Sequence, residues 1–191
     1  MPMSTTSAFS RKKKKMHKVG DVVLRMLEPR DIDALLEQKN DVTVAGLLGG
    51  FSTGYSRKDL EGWLEFHRTK RNEVLWAIAD GDDKCLGHVG LYEIDHRVRK
   101  AEFAIMLGER RAWGKGIGKA VSAWAVEYGF LQLNLNRIEL DVLATNPRAK
   151  ALYEGLGFEL EGTRRCAQYK DGEYIDVYVM GLLRAAWEAS R

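Results

Sequence analysis

Between Lys100 and Leu131 a strand pattern, a glycine turn and a helix pattern follow one another without a break. Ala101, Phe103, Ile105 and Leu107 alternate with Glu102, Ala104 and Met106. That period of two defines a strand with two different faces. From Ile117 to about Leu131, the residues Ile117, Ala120, Val121, Trp124, Ala125 and Tyr128 recur at helical spacing. Gly114, Gly116 and Gly118 fall where the strand hands over to the helix. Glycine lets backbone N–H groups approach an anion with no side chain in the way. A helix N-terminus adds free N–H donors and a partial positive charge. Together they predict a phosphate cradle, with Arg110, Arg111 and Lys115 as nearby cations.

The rest of the chain sets this unit in a sheet. Val22–Leu27 reads as a strand, and a helix starts at Pro29 with Ile32, Leu35 and Leu36 on one face. Residues 40–55 hold Gly46, Gly49, Gly50 and Gly54 and read as a mobile loop. Ser56 and Asp59 resemble a capping box ahead of a helix through Trp63, Leu64 and His67. Val74–Asp80 and Cys85–Ile94 form a hairpin. Arg137–Ala144 is a strand, and Asn146 and Pro147 open a helix that stops near Gly155. Two final strands join at Asp171–Gly172. This order predicts an α/β (α+β) sandwich with a mixed, mostly antiparallel sheet.

The glycine turn fits neither standard nucleotide motif. A Walker loop would need glycine at Trp113 and Ser or Thr at Ala120. A dinucleotide fingerprint would need glycine at Lys119. Alone, the turn is equally well read as a plain strand-to-helix connection. A second block changes the weight. Arg111–Gly116 resembles the R/Q-x-x-G-x-G/A motif of the GCN5-related N-acetyltransferases, and Arg137–Phe158 resembles the family's strand followed by N-x-x-A-x-x-x-Y-x-x-x-G-F. Asn146, Ala149, Tyr153, Gly157 and Phe158 fall in register with it. The likeness is greatest to the branch holding ribosomal-protein N-terminal, spermidine and aminosugar acetyltransferases.

The resemblance implies a central sheet of about six to seven strands flanked by about four helices, with one pair of central strands splayed apart. It implies acetyl-CoA as co-substrate, with pantetheine entering the splay like an added strand. A backbone N–H near Met106 or Leu107 would hold the thioester carbonyl. The pyrophosphate would lie on the loop of Arg111, Trp113, Gly114, Lys115 and Gly116, and on the helix start at Ile117, Gly118 and Lys119. Asn146 and Arg148 would contact the cofactor from the other side. Tyr153, on the first turns of its helix, would be the general acid. A phenol holds its proton at neutral pH and can be acidified by neighbouring dipoles.

Glu102 is the candidate general base, directly or through water. A carboxylate partly sheltered from water holds a proton more readily. Glu93, Asp95 and His88 are rivals. The acceptor walls are expected in residues 46–55 and around Cys166–Glu173, with Phe51, Tyr55 and Tyr169. Glu37, Asp41, Glu93 and Asp95 would welcome a cationic amine. The acceptor is then a primary amine of a small molecule, such as a polyamine, an aminosugar or an antibiotic-like amine. The alternatives are a protein N-terminus and a non-catalytic acyl-CoA-binding module. A homodimer through the C-terminal strand is compatible with the pattern.

Charge and composition bear on partners and place. The net charge is +3, but residues 1–18 carry six basic residues and no acid. Removing those six from the 30 basic residues leaves 24 against 27 acidic ones, or −3. Residues 1–20 therefore read as a basic, disordered leader, and 21–191 as one acetyltransferase domain. Nucleic-acid binding would rest on the Lys12–Lys15 run alone and is not expected. No apolar run spans a membrane. Cys85 and Cys166 form no CxxC pair, which argues against a metal site and suits a reducing cytoplasm.

Overall fold

The computed structural model describes residues 16–49 and 54–191. The Lys12–Lys15 run and Phe51 lie outside the described residues. The strand pattern at Lys100–Leu107 is observed as predicted, and both of its faces are covered. Ala101 and Phe103 join a core with Val121, Ala125, Val126 and Phe130 of the following helix. Met106 joins a second core with Ile32, Leu35, Leu60 and Leu64. A strand apolar on both sides must lie in the middle of a sheet with helices on each face.

The strands are β1 (His17–Val19), β2 (Val22–Arg25), β3 (Val74–Ala79), β4 (Cys85–Asp95), β5 (Lys100–Leu107), β6 (Arg137–Leu143), β7 (Glu159–Lys170) and β8 (Glu173–Leu183). They form one sheet in the order β1-β2-β3-β4-β5-β6-β8-β7. Only β5 and β6 pair in parallel. A parallel neighbour needs a crossover, and α4 (Ile117–Leu131) supplies it. On the opposite face lie α1 (Ile32–Asn40), α2 (Val42–Leu47) and α3 (Arg57–Thr69). The helices α5 (Pro147–Glu154) and α6 (Arg184–Ala189) complete the described elements.

Several expectations are corrected. The sheet has eight strands and the described residues six α-helices, each count above the expected one. One added strand, β1, lies within residues 1–20, read as leader; it is anchored by His17 against Trp124, ring centres 4.8 Å apart. The supposed loop after residue 40 contains α2. Asp41 caps it by accepting from the Thr43 and Val44 amides, and Val44 is buried. Cap and anchor together outweigh the helix cost of Gly46. Ala120, expected in the α4 core, is exposed. The C-terminal strand β8 is enclosed between β6 and β7, so it offers no free edge for a dimer; β7 is the edge.

The splay is visible in the ladder. β5 pairs with β6 at Lys100, Ala101 and Glu102, then pairing stops, although β5 runs on to Leu107 and β6 to Leu143. Beyond that point β5 stays with β4, and β6 with β8. The two halves of the sheet part between them.

Candidate active site

Register decides which backbone groups face the gap. Gly108 N–H donates to Leu86 O at 2.9 Å, so Leu86 and Gly108 oppose each other as a hydrogen-bonded pair. Such pairs alternate along an antiparallel ladder. Met106, opposite His88, therefore turns its amide toward β4, while Leu107 and Ile105 turn theirs toward the gap. Trp113 confirms the direction, since its Nε1–H donates to Leu107 O at 2.6 Å. Of the two amides proposed for the thioester carbonyl, Leu107 faces the gap and Met106 does not.

The glycine turn has the form the cradle requires. Gly114 and Gly116 have φ of 78° and 77°, in the left-handed region. Gly116 is the N-cap of α4, and no side chain caps that end. Ala120 N–H is the amide that closes back on Gly116 O, at 3.0 Å. The amides of Ile117, Gly118 and Lys119 precede it and have no acceptor within the helix. A cavity of about 690 Å³ runs along the gap and is lined by this helix start, by Leu107 and by Trp113. Lys119 and Arg148 also line it. Arg148 holds its guanidinium 5.8 Å from the Trp113 ring centre. Arg111 and Lys115 do not line the cavity; both are exposed beside it. An uncapped helix start beside a long cavity with two cations fits a phosphate-bearing ligand.

Tyr153 lines the same cavity. It lies on the last turn of α5, not the first turns, because Gly155 ends the helix one residue after Glu154. Its ring packs edge-on against Phe103 and Phe158, with centres 6.0 Å away in each case. Burial raises its pKa to about 12. Burial is the one influence on this group, so the acidification by neighbouring dipoles is not found. Asn146 caps α5 as predicted, accepting from Ala149 N–H at 3.1 Å. Its Nδ2 also donates to Leu47 O at 3.3 Å, and Lys170 Nζ donates to Ala45 O at 2.9 Å. These bonds tie α2 across the cavity as a wall, with Leu47, Leu48 and Gly49 in its lining.

Glu102 lines the cavity from the α1–α3 face but is exposed, so the shelter argued for it is not there. Its rivals are occupied. Glu93 accepts from Lys70 and Asn72, and Asp95 from the Arg97 and Val98 amides. Burial lowers the His88 pKa to about 3, so that imidazole is neutral. Tyr55 and Tyr169 do not line the cavity, whereas Ala167 and Gln168 of β7 do. The wall expected in residues 46–55 is present through Leu47, Leu48 and Gly49. Sequence reasoning missed that α2 carries it, for which Asp41 ahead of Thr43 and Val44 was the available signal. It also missed the Trp113–Leu107 bond, which has no signature in spacing. Among the described residues, no group of three or more His, Cys, Asp or Glu is arranged to hold a metal ion, and no helix is long and apolar enough to cross a membrane.

Comparison with known proteins agrees with this geometry. Residues 21–159 match the family described as "Acetyltransferase (GNAT) domain". The chain is 38% identical over 166 residues to the uncharacterized N-acetyltransferase p20 of Bacillus licheniformis, covering 85% of this chain and 93% of that protein. It is 31% identical over 169 residues to a spermidine N(1)-acetyltransferase of Vibrio cholerae, covering 88% of this chain and 96% of that one. A crystal structure of spermidine N-acetyltransferase from Vibrio cholerae in complex with CoA and spermine superposes with a TM-score of 0.79 at 29% identity, over 88% of this chain and 98% of that one.

Proposed function

The chain belongs to the GNAT acetyltransferase family, and on that premise we propose that it transfers an acetyl group from acetyl-CoA to a primary amine of a small molecule, by direct attack in a ternary complex. One observation carries the reading. A single cavity along the β5–β6 splay gathers the uncapped start of α4, Leu107, Tyr153 and Glu102. Acetyl-CoA supplies the activated thioester. The α4 amides, with Gly114 and Gly116 before them, hold the pyrophosphate, helped by Lys119 and Arg148. Leu107 N–H stabilises the oxyanion that develops on the thioester carbonyl oxygen. Tyr153 gives a proton to the departing sulfur, and Glu102 takes one from the amine, directly or through water. The α2 wall tied down by Asn146 and Lys170 supports a small acceptor over a protein N-terminus, which would need an open groove.

The test is thiol release from acetyl-CoA with polyamines, aminosugars, aminoglycosides, amino acids and short peptides. Release with a small amine and not with peptides is expected. Silence from every acceptor, with acetyl-CoA still raising the melting temperature, would turn the reading toward a binding module.

Two variants probe the parts. Gly116→Val forces a β-branched residue to a φ of 77°. The strain of roughly 1–2 kcal/mol pulls the α4 amides out of line, and the Kd for acetyl-CoA is expected to rise about tenfold. Unchanged affinity in calorimetry would remove the cradle. Glu102→Gln removes the proposed proton acceptor without changing its size. Its pH–rate profile is expected to differ from wild type, and superimposable profiles would eliminate Glu102 as the base.

A further inference from the structure

Side-chain direction divides the cavity into two sides. Leu140 and Val142 of β6 belong to the core that α4 covers, so Asp141 and Leu143 point to the opposite face, where α1 and α3 lie. Val177 of β8 stands opposite Leu143, and Arg164 of β7 stands opposite Val177. Residues directly opposed in a ladder share a face. On β5 the same face carries Glu102, Ala104 and Met106. All of these line the cavity, and so do Leu47 and Leu48 of the α2 wall. This is the acceptor side, across the sheet from Tyr153 and the start of α4.

Its uncompensated charge is one negative unit. Among the described residues, two acids line the cavity, Glu102 and Asp141. Asp141 is paired with Arg164, and the pair adds no net charge. Glu102 is left to meet an ammonium. The other acids expected to greet positive charge do not line the cavity. Asp41 caps α2 and faces Arg110, Glu93 takes Lys70, and Asp95 closes its own turn, while Glu37 is exposed on α1. Lys170, bonded to the α2 wall through Ala45 O, adds a positive charge nearby and disfavours a second cation.

The remaining wall on this side is largely apolar. Met106, Leu143, Val177, Leu47 and Leu48 supply it. Leu47 is 37% exposed, a leucine that the protein's own packing leaves uncovered. Apolar surface in a cavity is covered favourably by an apolar ligand. A second ammonium laid on that surface would give up its water and gain no partner.

We propose that the acceptor is an apolar monoamine, one ammonium on a hydrocarbon body, taken in preference to a polyamine. The inference rests on the acetyl-transfer reading above and names the substrate class of that same site. Glu102 meets the ammonium, and the body lies against Leu47, Leu48, Leu143 and Val177.

The experiment measures kcat/KM at saturating acetyl-CoA for hexylamine, 1,6-diaminohexane, ethylamine and spermidine, in wild type, Leu47→Glu and Leu47→Gln. Hexylamine and 1,6-diaminohexane share their chain and differ by one charge at neutral pH. Hexylamine and ethylamine share their charge and differ in apolar length. In the wild type hexylamine is expected to exceed both by about tenfold or more. Leu47→Glu places a second acid on the wall and should narrow the ratio of hexylamine to 1,6-diaminohexane about tenfold. Leu47→Gln, of the same size without the charge, should narrow it far less. A wild type that takes 1,6-diaminohexane or spermidine as well as hexylamine overturns the inference and leaves the acetyl-transfer reading standing. So does a Leu47→Glu variant that keeps the wild-type ratio. Silence toward these amines, with thiol release from any other acceptor, has the same meaning. Silence toward every acceptor, with acetyl-CoA still bound, overturns the reading and the inference together.

Discussion

Tyr153→Phe is expected to lower kcat at saturating acetyl-CoA by roughly 100-fold or more, the size of a lost proton donor. The substitution removes one oxygen. The ring contacts with Phe103 and Phe158 remain, so the α5 packing against the core should be kept. The KM for acetyl-CoA should change little, because the hydroxyl acts on a charge that exists only as the thiolate leaves. An interaction made only in the transition state appears in kcat. Burial has a further consequence. With its pKa pushed up to about 12, the Tyr153 hydroxyl keeps its proton at every pH near neutrality. Wild type and variant should then share the shape of their pH–rate profiles and differ in height. A kcat within twofold of wild type would remove Tyr153 as the acid, whereas a basic limb lost with the hydroxyl would keep the role and place its pKa lower than burial does.

What the sequence made legible was local. Alternation along Ala101–Leu107 sufficed to define β5, since a period of two needs no partner to be recognised. Asn146 before Pro147 declared the start of α5, and Asp171–Gly172 the β7–β8 turn, because caps and turns are written in adjacent residues. The losses came where a neighbour decides. Asp41 and Val44 make a helix of a stretch whose glycines read as loop, but Val44 is anchored by residues far away in sequence. β1 became a strand because β2 lies two residues past its end and His17 reaches Trp124. The choice between the Met106 and Leu107 amides needed the β4–β5 register, which no spacing within β5 reveals.

The same register makes Gly87 the position where a single methyl group should do most harm. A Cβ added there would fall 1.9 Å from Met106 O, 2.9 Å from Met106 C and 3.0 Å from Leu107 Cα. All three are backbone atoms of β5, so no side chain can rotate away, and the strand itself must move. Gly87→Ala is expected to cost on the order of 3 kcal/mol, in the upper range for a single substitution. It should also displace Leu107, whose N–H is proposed to meet the oxyanion. A misplacement of about 1 Å there can lower turnover roughly 100-fold. Gly81→Ala is the control. It sits in the β3–β4 turn, where an added Cβ would meet nothing within 4 Å, and it should change stability by less than about 0.5 kcal/mol. Urea midpoints and kcat measured on both variants separate the outcomes. If Gly87→Ala is as stable and as active as Gly81→Ala, β5 yields to its neighbour freely, and a rigid β4–β5 ladder cannot be what aims the Leu107 amide. If it is destabilised and slow while Gly81→Ala is neither, the close approach of β4 holds that amide in line, and the edge of the splay is built from the strand behind it.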